Sequence, residues 1–114
     1  MRVLVIEDEI MIAMMIQDML DDLGMEVVGP AFDAPTAFRL ASADDLDFAL
    51  LDVNLAGETS FSAADVLQRR AIPFAFLTGY GPAGVRADLR SHPILGKPLD
   101  PDALKRVLPA EQLH

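Results

Sequence analysis

Five short apolar runs recur along this chain, separated by segments that can form helices. The runs are Val3–Ile6, Val27–Val28, Phe48–Leu51, Pro73–Leu77 and Ile94–Leu95. Short apolar runs of branched and aromatic residues, without polar alternation, are typical of strands that are covered on both faces. A parallel sheet with helices packed on both sides covers its strands in this way. The pattern therefore predicts an α/β fold with a five-stranded parallel sheet.

The segments between the runs carry the start and stop signals of helices. The predicted helices cover residues 10–23, 33–42 and 61–70, a short and loosely held segment at 83–90, and a last helix that opens at Asp100 or Asp102. Gly24 ends the first helix, and Asp33 is the N-cap of the second. Residues 54–60 are predicted to be a loop, and the glycines and prolines of residues 79–84 weaken the fourth helix. We therefore expect a single (βα)5 doubly wound domain.

Composition and charge narrow the classes of function. A length of 114 residues fits one domain, and 52% hydrophobic against 24% charged residues indicates a folded chain. The chain has no cysteine, which excludes a disulfide framework, a thiolate zinc site and a cysteine nucleophile. Its net charge of −9 would be repelled by the negatively charged phosphate backbone of a nucleic acid. Without a signal peptide or an apolar run of about eighteen residues, we expect a cytoplasmic protein that binds neither nucleic acid nor membranes.

Polar side chains follow four of the predicted strands. Glu7 and Asp8 come after the first, Asp52 after the third, Thr78 after the fourth and Lys97 after the fifth. The carboxyl ends of parallel strands meet at one edge of the sheet, so these groups are expected to lie together. Taken singly, each has an ordinary explanation as a helix cap or a solvated charge. Together, three carboxylates at one edge need a positively charged partner.

A divalent cation is a suitable partner for these carboxylates. Mg²⁺ prefers oxygen ligands and binds through one or two carboxylates together with phosphate oxygens. The predicted ligands are Glu7, Asp8, Asp52 and the backbone carbonyl of Asn54, two residues past Asp52. Mg²⁺ is the expected ion, with Mn²⁺ or Ca²⁺ as substitutes.

The same group of residues predicts phosphoryl chemistry. Asp52 is placed to act as a nucleophile toward phosphorus and to form an acyl phosphate. Lys97 and the metal would stabilise charge on the phosphoryl oxygens, and Thr78 would donate a hydrogen bond to one of them.

Taken in order, the acidic pair, the aspartate, the threonine and the Lys97–Pro98 pair resemble the receiver domain of bacterial two-component response regulators. The resemblance covers essentially all of residues 1–114 and leaves no output domain. It implies a flavodoxin-like fold with strand order 2-1-3-4-5. It also implies phosphoryl transfer from a sensor histidine kinase or a histidine phosphotransfer protein. The phosphorylated domain would then contact a downstream protein, form a homodimer, or serve as a phosphate sink for a shared kinase.

The resemblance assigns a role to each residue of the site. It implies a metal-binding acidic pair at Glu7 and Asp8, the phosphoacceptor at Asp52, a switch hydroxyl at Thr78, and a lysine at Lys97 that is joined to Pro98 by a cis peptide. Asn54 and Tyr80 fall where family side chains tune the lifetime of the phosphoryl group. The chain departs from the family where Glu7 replaces the commoner aspartate, and where Ile94 occupies the usual position of a moving aromatic ring. One hypothesis is that the side chain of Tyr80 moves instead of a ring at position 94. The alternative is that Tyr80 is an exposed tyrosine without a switching role.

Residues 73–81 resemble more narrowly a subgroup of stand-alone receivers named for a Phe-Ala-Thr-Gly motif. The stretch reads Pro-Phe-Ala-Phe-Leu-Thr-Gly-Tyr-Gly, with Leu77 in place of the motif alanine. Members of that subgroup are associated with kinases of a distinct class, often in general stress signalling.

The first predicted helix is apolar all round over residues 10–16. Ile12, Met15 and Ile16 are expected to face the core, because a helix on a sheet buries one stripe. The residues that this leaves exposed are Ile10, Met11 and Met14. The first helix of receivers contacts the helical bundle of the kinase, so these residues predict a docking surface. The alternative is that the helix is rotated so that these three residues are buried in the core.

Two other functions stay open at this point. The first is a small Mg²⁺-dependent phosphohydrolase that also forms an aspartyl phosphate, although such enzymes carry a second aspartate where this chain has Asn54. The second is a receiver-like binding module that works without phosphorylation. The preferred interpretation is a signalling domain rather than an enzyme, catalysing only its own phosphorylation and dephosphorylation.

Overall fold

The computed structural model describes residues 1–43 and 45–109. Its strands are β1 (Arg2–Ile6), β2 (Glu26–Ala31), β3 (Phe48–Asp52), β4 (Asn54–Leu55), β5 (Glu58–Thr59), β6 (Phe74–Thr78) and β7 (Ile94–Gly96). Its α-helices are α1 (Ile10–Asp22), α2 (Ala34–Ala43), α3 (Phe61–Arg69) and α4 (Pro101–Val107).

The five predicted strands form one parallel sheet in the order β2-β1-β3-β6-β7. This is the expected order 2-1-3-4-5 once the small β4–β5 hairpin is left out of the numbering. Every residue of β3 and β6 is buried, as their unbroken apolar runs predict for central strands with both faces covered. The predicted α/β fold with a parallel sheet is confirmed.

Alternating side chains of the strands belong to two separate hydrophobic clusters, one on each face of the sheet. On one face, Leu4, Leu51 and Phe76 pack with the buried residues of α2 and α3. On the other face, Val5 and Leu50 pack with buried residues of α1 and α4. Each fully buried side chain of this size contributes about 1.5–3 kcal/mol relative to exposure. The sheet is therefore held between two apolar layers, and these layers fix the position of its strands.

The segment at 83–90 is not the short helix that we predicted. It consists of two 3-10 turns, Gly81–Gly84 and Ala87–Leu89. Pro82 and the surrounding glycines explain the difference, because proline lacks the N–H that an α-helix needs and glycine disfavours its regular backbone. The prediction of residues 54–60 as a loop also missed the antiparallel hairpin of β4 and β5.

The second strand extends further than its apolar run. The run covers only Val27–Val28, whereas β2 begins at Glu26 and continues through Gly29 and Pro30 to Ala31. The pairing of β1 with β2 changes register across this pair, so that β2 bulges there.

The inner face of α1 differs from the prediction at one position. Ile16 is buried as expected, but Met15 is 53% exposed and does not belong to the core. The buried stripe consists of Ala13, Ile16 and Leu20, at spacings of three and four residues. Ile12, the third predicted core position, is partly buried, as are Met19 and Leu23. None of the helices in the part of the chain that the structure describes could span a lipid bilayer, and α1, with 13 residues, is the longest of them.

Candidate functional site

The strand ends bring the predicted site residues to one edge of the sheet. A cleft of about 430 Å³ opens there, and its lining includes Asp8, Asp52, Asn54, Thr78, Tyr80 and Lys97. Glu7 lies beneath the cleft and is fully buried. The residues lie together because each follows, or ends, a strand whose partners are aligned in parallel.

Three carboxylates form the acidic part of the site. Glu7, Asp8 and Asp52 each place one oxygen within 4.8 Å of the others. Glu7 and Asp52 are buried, with exposed fractions of 0% and 5%, and Asp8 is partly exposed. Like charges at this spacing and burial raise the free energy of the folded state unless a cation or a proton offsets them.

Lys97 supplies one such cation. Its Nζ lies 3.0 Å from Oδ2 of Asp52 and 3.2 Å from Oε2 of Glu7. Burial alone would lower the pKa of Lys97, but the contacts with Asp52 and Glu7 outweigh it and raise the pKa. Lys97 therefore stays charged and bridges two of the three carboxylates.

The two buried carboxylates hold protons more tightly than they would in water. Burial, followed by the charge of Asp52, raises the pKa of Glu7 to about 7, against an opposing effect of Lys97. Burial also raises the pKa of Asp52, while Lys97 and the backbone of Asn54 act to lower it. The site thus has too little positive charge from the protein alone to keep all three carboxylates ionised at neutral pH.

The charges of the site suit a metal ion. Oε2 of Glu7 is fully buried, and Nζ of Lys97 lies 3.2 Å from it. The same ammonium group also contacts Asp52, so a second cation would offset the negative charge that one lysine leaves. Three clustered carboxylates are also the ligand type that Mg²⁺ prefers. The residues present therefore fit a divalent cation.

Asp8 is held by the β4–β5 hairpin, a contact that the sequence analysis did not find. The backbone N–H of Ala56 donates to Oδ2 of Asp8 at 2.9 Å. Ala56 and Gly57 form the hairpin turn with φ angles of 49° and 90°. Two left-handed residues are what a tight two-residue hairpin requires. Ala-Gly is only a weak signal for such a turn, so sequence reasoning had little from which to predict it.

Thr78 stands on the opposite side of Asp52 from the acidic pair. Its side chain is buried, and its Oγ1 accepts a hydrogen bond from the backbone N–H of Tyr80 at 3.0 Å. The side chain of Tyr80 is 79% exposed. Ile94 pairs with Phe76 in the sheet and packs against the core, so an aliphatic side chain occupies that position.

The remaining predicted features are also present. The Lys97–Pro98 peptide bond is cis. Ile10, Met11 and Met14 are 62%, 79% and 59% exposed, and Met15 extends the same apolar surface. These four residues form what we call the α1 patch, on the helix that begins just after the acidic pair.

Arg86 is a further residue that the sequence analysis missed. It forms ion pairs with Asp65 of α3 and with Asp88, and its guanidinium lies 5.7 Å from the ring centre of Phe61. These contacts tie the glycine-rich segment that follows Thr78 to helix α3. The sequence around Arg86 gives no signal of such contacts, because both α3 partners are more than twenty residues away in the chain.

Comparisons with known proteins agree on one family. Residues 3–108 match the response regulator receiver domain. The chain is 29% identical over 113 residues to the transcriptional regulatory protein PdtaR of Mycobacterium tuberculosis (strain ATCC 25618 / H37Rv), covering 98% of this chain and 55% of PdtaR. It therefore spans about half the length of that curated relative.

Two solved structures are also similar. The solution structure of SdrG from Sphingomonas melonis Fr1 has a TM-score of 0.84 and 36% identity, covering 98% of this chain and 94% of that one. The receiver domain of the sensor histidine kinase PA1611 from Pseudomonas aeruginosa PAO1 has a TM-score of 0.75 and 26% identity, covering 93% and 92% of the two chains. That structure has a magnesium ion coordinated in its active site cleft.

Proposed function

Because the chain belongs to the response regulator receiver domain family, we propose that it accepts a phosphoryl group on Asp52 in a Mg²⁺-dependent reaction and signals through the modified form. The observation that carries this proposal is the position of Lys97, whose ammonium group contacts both Asp52 and Glu7. A structural ion pair would need one carboxylate, whereas this site groups three carboxylates, two of which contact the same lysine.

Asp52 is the nucleophile in the proposed reaction. One of its carboxylate oxygens attacks the phosphorus of a phosphohistidine, the P–N bond breaks, and its electron pair returns to the imidazole of the partner. The product is an acyl phosphate on Asp52. Lys97 favours this step because it keeps Asp52 ionised before the attack, and it remains beside the new phosphoryl oxygens after it.

Glu7, Asp8 and Asp52 would hold the metal, together with the backbone carbonyl of Asn54. Mg²⁺ supplies positive charge that offsets the carboxylates and the incoming phosphoryl oxygens. The hairpin N–H of Ala56 orients Asp8 for this role, since it holds one oxygen of the carboxylate, Oδ2, by a hydrogen bond.

Thr78 is the proposed link between phosphorylation and a change of shape. Its hydroxyl oxygen is bound by the N–H of Tyr80, so a rotation of Thr78 toward a phosphoryl group would break that bond. The segment that follows, residues 79–84, contains three glycines and would adjust its backbone readily. Ile94 has no ring to move inward, and Tyr80 is the aromatic residue on the moving segment.

Receiver domains interact with histidine kinases or phosphotransfer proteins. For this chain we propose that the α1 patch forms part of that contact, because exposed methionines suit an adaptable apolar interface beside the phosphoacceptor. Output would follow by contact with a downstream protein, by formation of a homodimer, or by removal of phosphoryl groups from a shared kinase.

The direct test is the intact mass of the protein after incubation with Mg²⁺ and a small phosphodonor such as phosphoramidate. We expect one added phosphoryl group in the wild type, none with EDTA, and none in Asp52→Asn. A beryllofluoride titration followed by NMR detects binding if the acyl phosphate hydrolyses too fast to be trapped. Binding of Mg²⁺ without either adduct would overturn the proposal and favour a module that works without phosphorylation.

A further inference from the structure

Strand β2 contains one more residue than its partner β1 over the same length. Arg2, Val3 and Leu4 pair with Glu26, Val27 and Val28, but Ile6 pairs with Ala31. Gly29 and Pro30 thus lie opposite the single residue Val5. This is the pattern of a β-bulge, in which two residues of one strand oppose one residue of the next.

The bulge changes which residues of β2 face the core. Val28 and Ala31 are three residues apart, and yet both pack in the same cluster as Leu4 and Ile6. Regular alternation would place residues at odd spacing on opposite faces of the sheet. The inserted residue therefore shifts Ala31 by one position and brings its backbone to the end of β1.

At that position the carbonyl oxygen of Ala31 accepts a hydrogen bond from the backbone N–H of Glu7, at 3.0 Å. Glu7 is the first residue after β1, and its side chain is fully buried. A buried side chain has little freedom to compensate for a displaced backbone. The bond to Ala31 therefore fixes the backbone position from which the Glu7 side chain extends, and the Glu9 N–H and Lys97 contact its carboxylate.

Only glycine fits the bulge at position 29. Gly29 has a φ angle of +95°, which residues with a side chain rarely adopt. A Cβ atom added there would lie 2.9 Å from the backbone nitrogen of Ala31 and 3.0 Å from the carbonyl oxygen of Val5. The Val5 oxygen belongs to β1, so relief of that contact requires β2 to move away from β1. The Ala31 nitrogen lies two residues further along β2, so relief of the other contact requires the backbone of the bulge itself to change.

We propose that Gly29 is a positioning residue of the metal site, which acts through the bulge and the Ala31 carbonyl to place Glu7. The inference rests on the proposed function, because it assigns to Glu7 the role of a metal ligand or of a group that orients the metal. It adds a residue from β2, a strand that contributes no side chain to the cleft.

The test compares Gly29→Ala with Gly24→Ala. Gly24 has a similar φ angle of +77°, but a Cβ there would meet no atom within 4 Å. Gly24→Ala thus carries the same backbone strain without the contact between strands. Dissociation constants for Mg²⁺ alone are measured by calorimetry at a temperature at which circular dichroism shows all three proteins folded.

We expect Gly29→Ala to bind Mg²⁺ about tenfold or more weakly than the wild type, the size of loss that removal of a ligand-orienting partner causes. Gly24→Ala should keep the wild-type affinity even if its melting temperature falls. Equal Mg²⁺ affinity in Gly29→Ala and the wild type would overturn the inference while leaving the proposed function intact. If the wild type bound no Mg²⁺, the proposed function would fail, and the inference with it.

Amide hydrogen exchange provides a second measurement that needs neither metal nor a folded variant. In the wild type the Glu7 amide should exchange as slowly as amides within β1, because Ala31 accepts its hydrogen. In a folded Gly29→Ala protein it should exchange faster. If that variant does not fold, the wild-type measurement decides alone: exchange of the Glu7 amide at the rate of an exposed loop would overturn the inference.

Discussion

The ammonium nitrogen of Lys97 lies 3.0 Å from Oδ2 of Asp52, although the two residues are 45 positions apart in the chain. The same nitrogen is 3.2 Å from Oε2 of Glu7. One lysine is thus shared by two buried carboxylates, and a third carboxylate lies beside them. The charge balance of this group should therefore set how the stability and the Mg²⁺ affinity of the protein depend on pH.

Without metal, the protein should become less stable as the pH rises from about 4.5 to about 7. The pKa of Glu7 is raised to about 7 from 4.5, so between these values the folded state holds a proton that the unfolded state releases. The stabilisation that this proton contributes is therefore complete below pH 4.5 and is lost as the pH passes 7, at a total cost of about 3 kcal/mol. Urea denaturation with EDTA at several pH values measures it. Glu7→Gln should have a flatter profile, and an unchanged slope in that variant would contradict the assignment.

The affinity for Mg²⁺ should fall as the pH is lowered below about 7. A proton on Glu7 competes with the metal, because the pKa of this carboxyl is raised to about 7 and coordination needs the ionised form. The loss should approach tenfold per pH unit, as one proton is displaced for each ion bound. Calorimetric titrations between pH 5.5 and pH 8, set around that pKa, measure it. An affinity that did not vary over this range would show that binding of the metal does not displace a proton from Glu7.

Removal of the shared lysine should destabilise the protein most at high pH. Lys97→Met leaves Asp52 and Glu7 without their cation, at a cost of about 2–3 kcal/mol at pH 8 without metal. The loss should be smaller at pH 5, where the raised pKa of Glu7 lets it carry a proton, and Mg²⁺ should recover part of it. Lys105→Met is the control, because Lys105 is the other lysine of the chain and lies exposed on α4. Equal effects of the two substitutions would contradict a special role for Lys97.

Charges in the α1 patch should slow phosphotransfer from a protein donor but not from a small one. Met11→Glu or Met14→Glu places a carboxylate where these side chains are 79% and 59% exposed, so the fold should be unaffected. Transfer from a phosphorylated kinase or phosphotransfer protein should fall about tenfold, as for a central contact of an interface. Phe38→Glu, at a 45% exposed position of α2, is the matched control. Unchanged transfer with both methionine variants would place the interface elsewhere.

Loss of the Arg86 contacts should loosen the segment between β6 and β7. Arg86→Ala removes the ion pairs with Asp65 and Asp88. Amide exchange should then be several-fold faster at Leu89, whose N–H is bonded within this segment, and unchanged in β3. Asp65→Asn should have the same effect in weaker form, since Asp88 remains. Exchange at the wild-type rate in Arg86→Ala would show that buried side chains such as Val85 alone hold the segment.

The sheet and its site residues could be predicted because both depend on local patterns. An unbroken apolar run predicts a buried strand wherever it occurs, and parallel pairing aligns the ends of all such strands. Glu7, Asp52, Thr78 and Lys97 therefore had to meet once the runs were identified. The same reasoning was wrong for Met15, because apolar character alone does not distinguish the buried stripe of a helix from an exposed neighbour.

Sequence patterns by themselves thus determined the fold class and the residues that meet at the strand ends, and the resemblance to receiver domains supplied the strand order. Only the tertiary structure decided how those residues are held: the pKa of Glu7, the Ala56 N–H on Asp8, and the bulge at Gly29 that brings Ala31 to Glu7. The physical reason is that strand formation follows from neighbouring residues, whereas burial, charge coupling and these backbone contacts arise between segments that are distant in the chain. Such contacts have no local signature, and their distances exist only once the chain is packed.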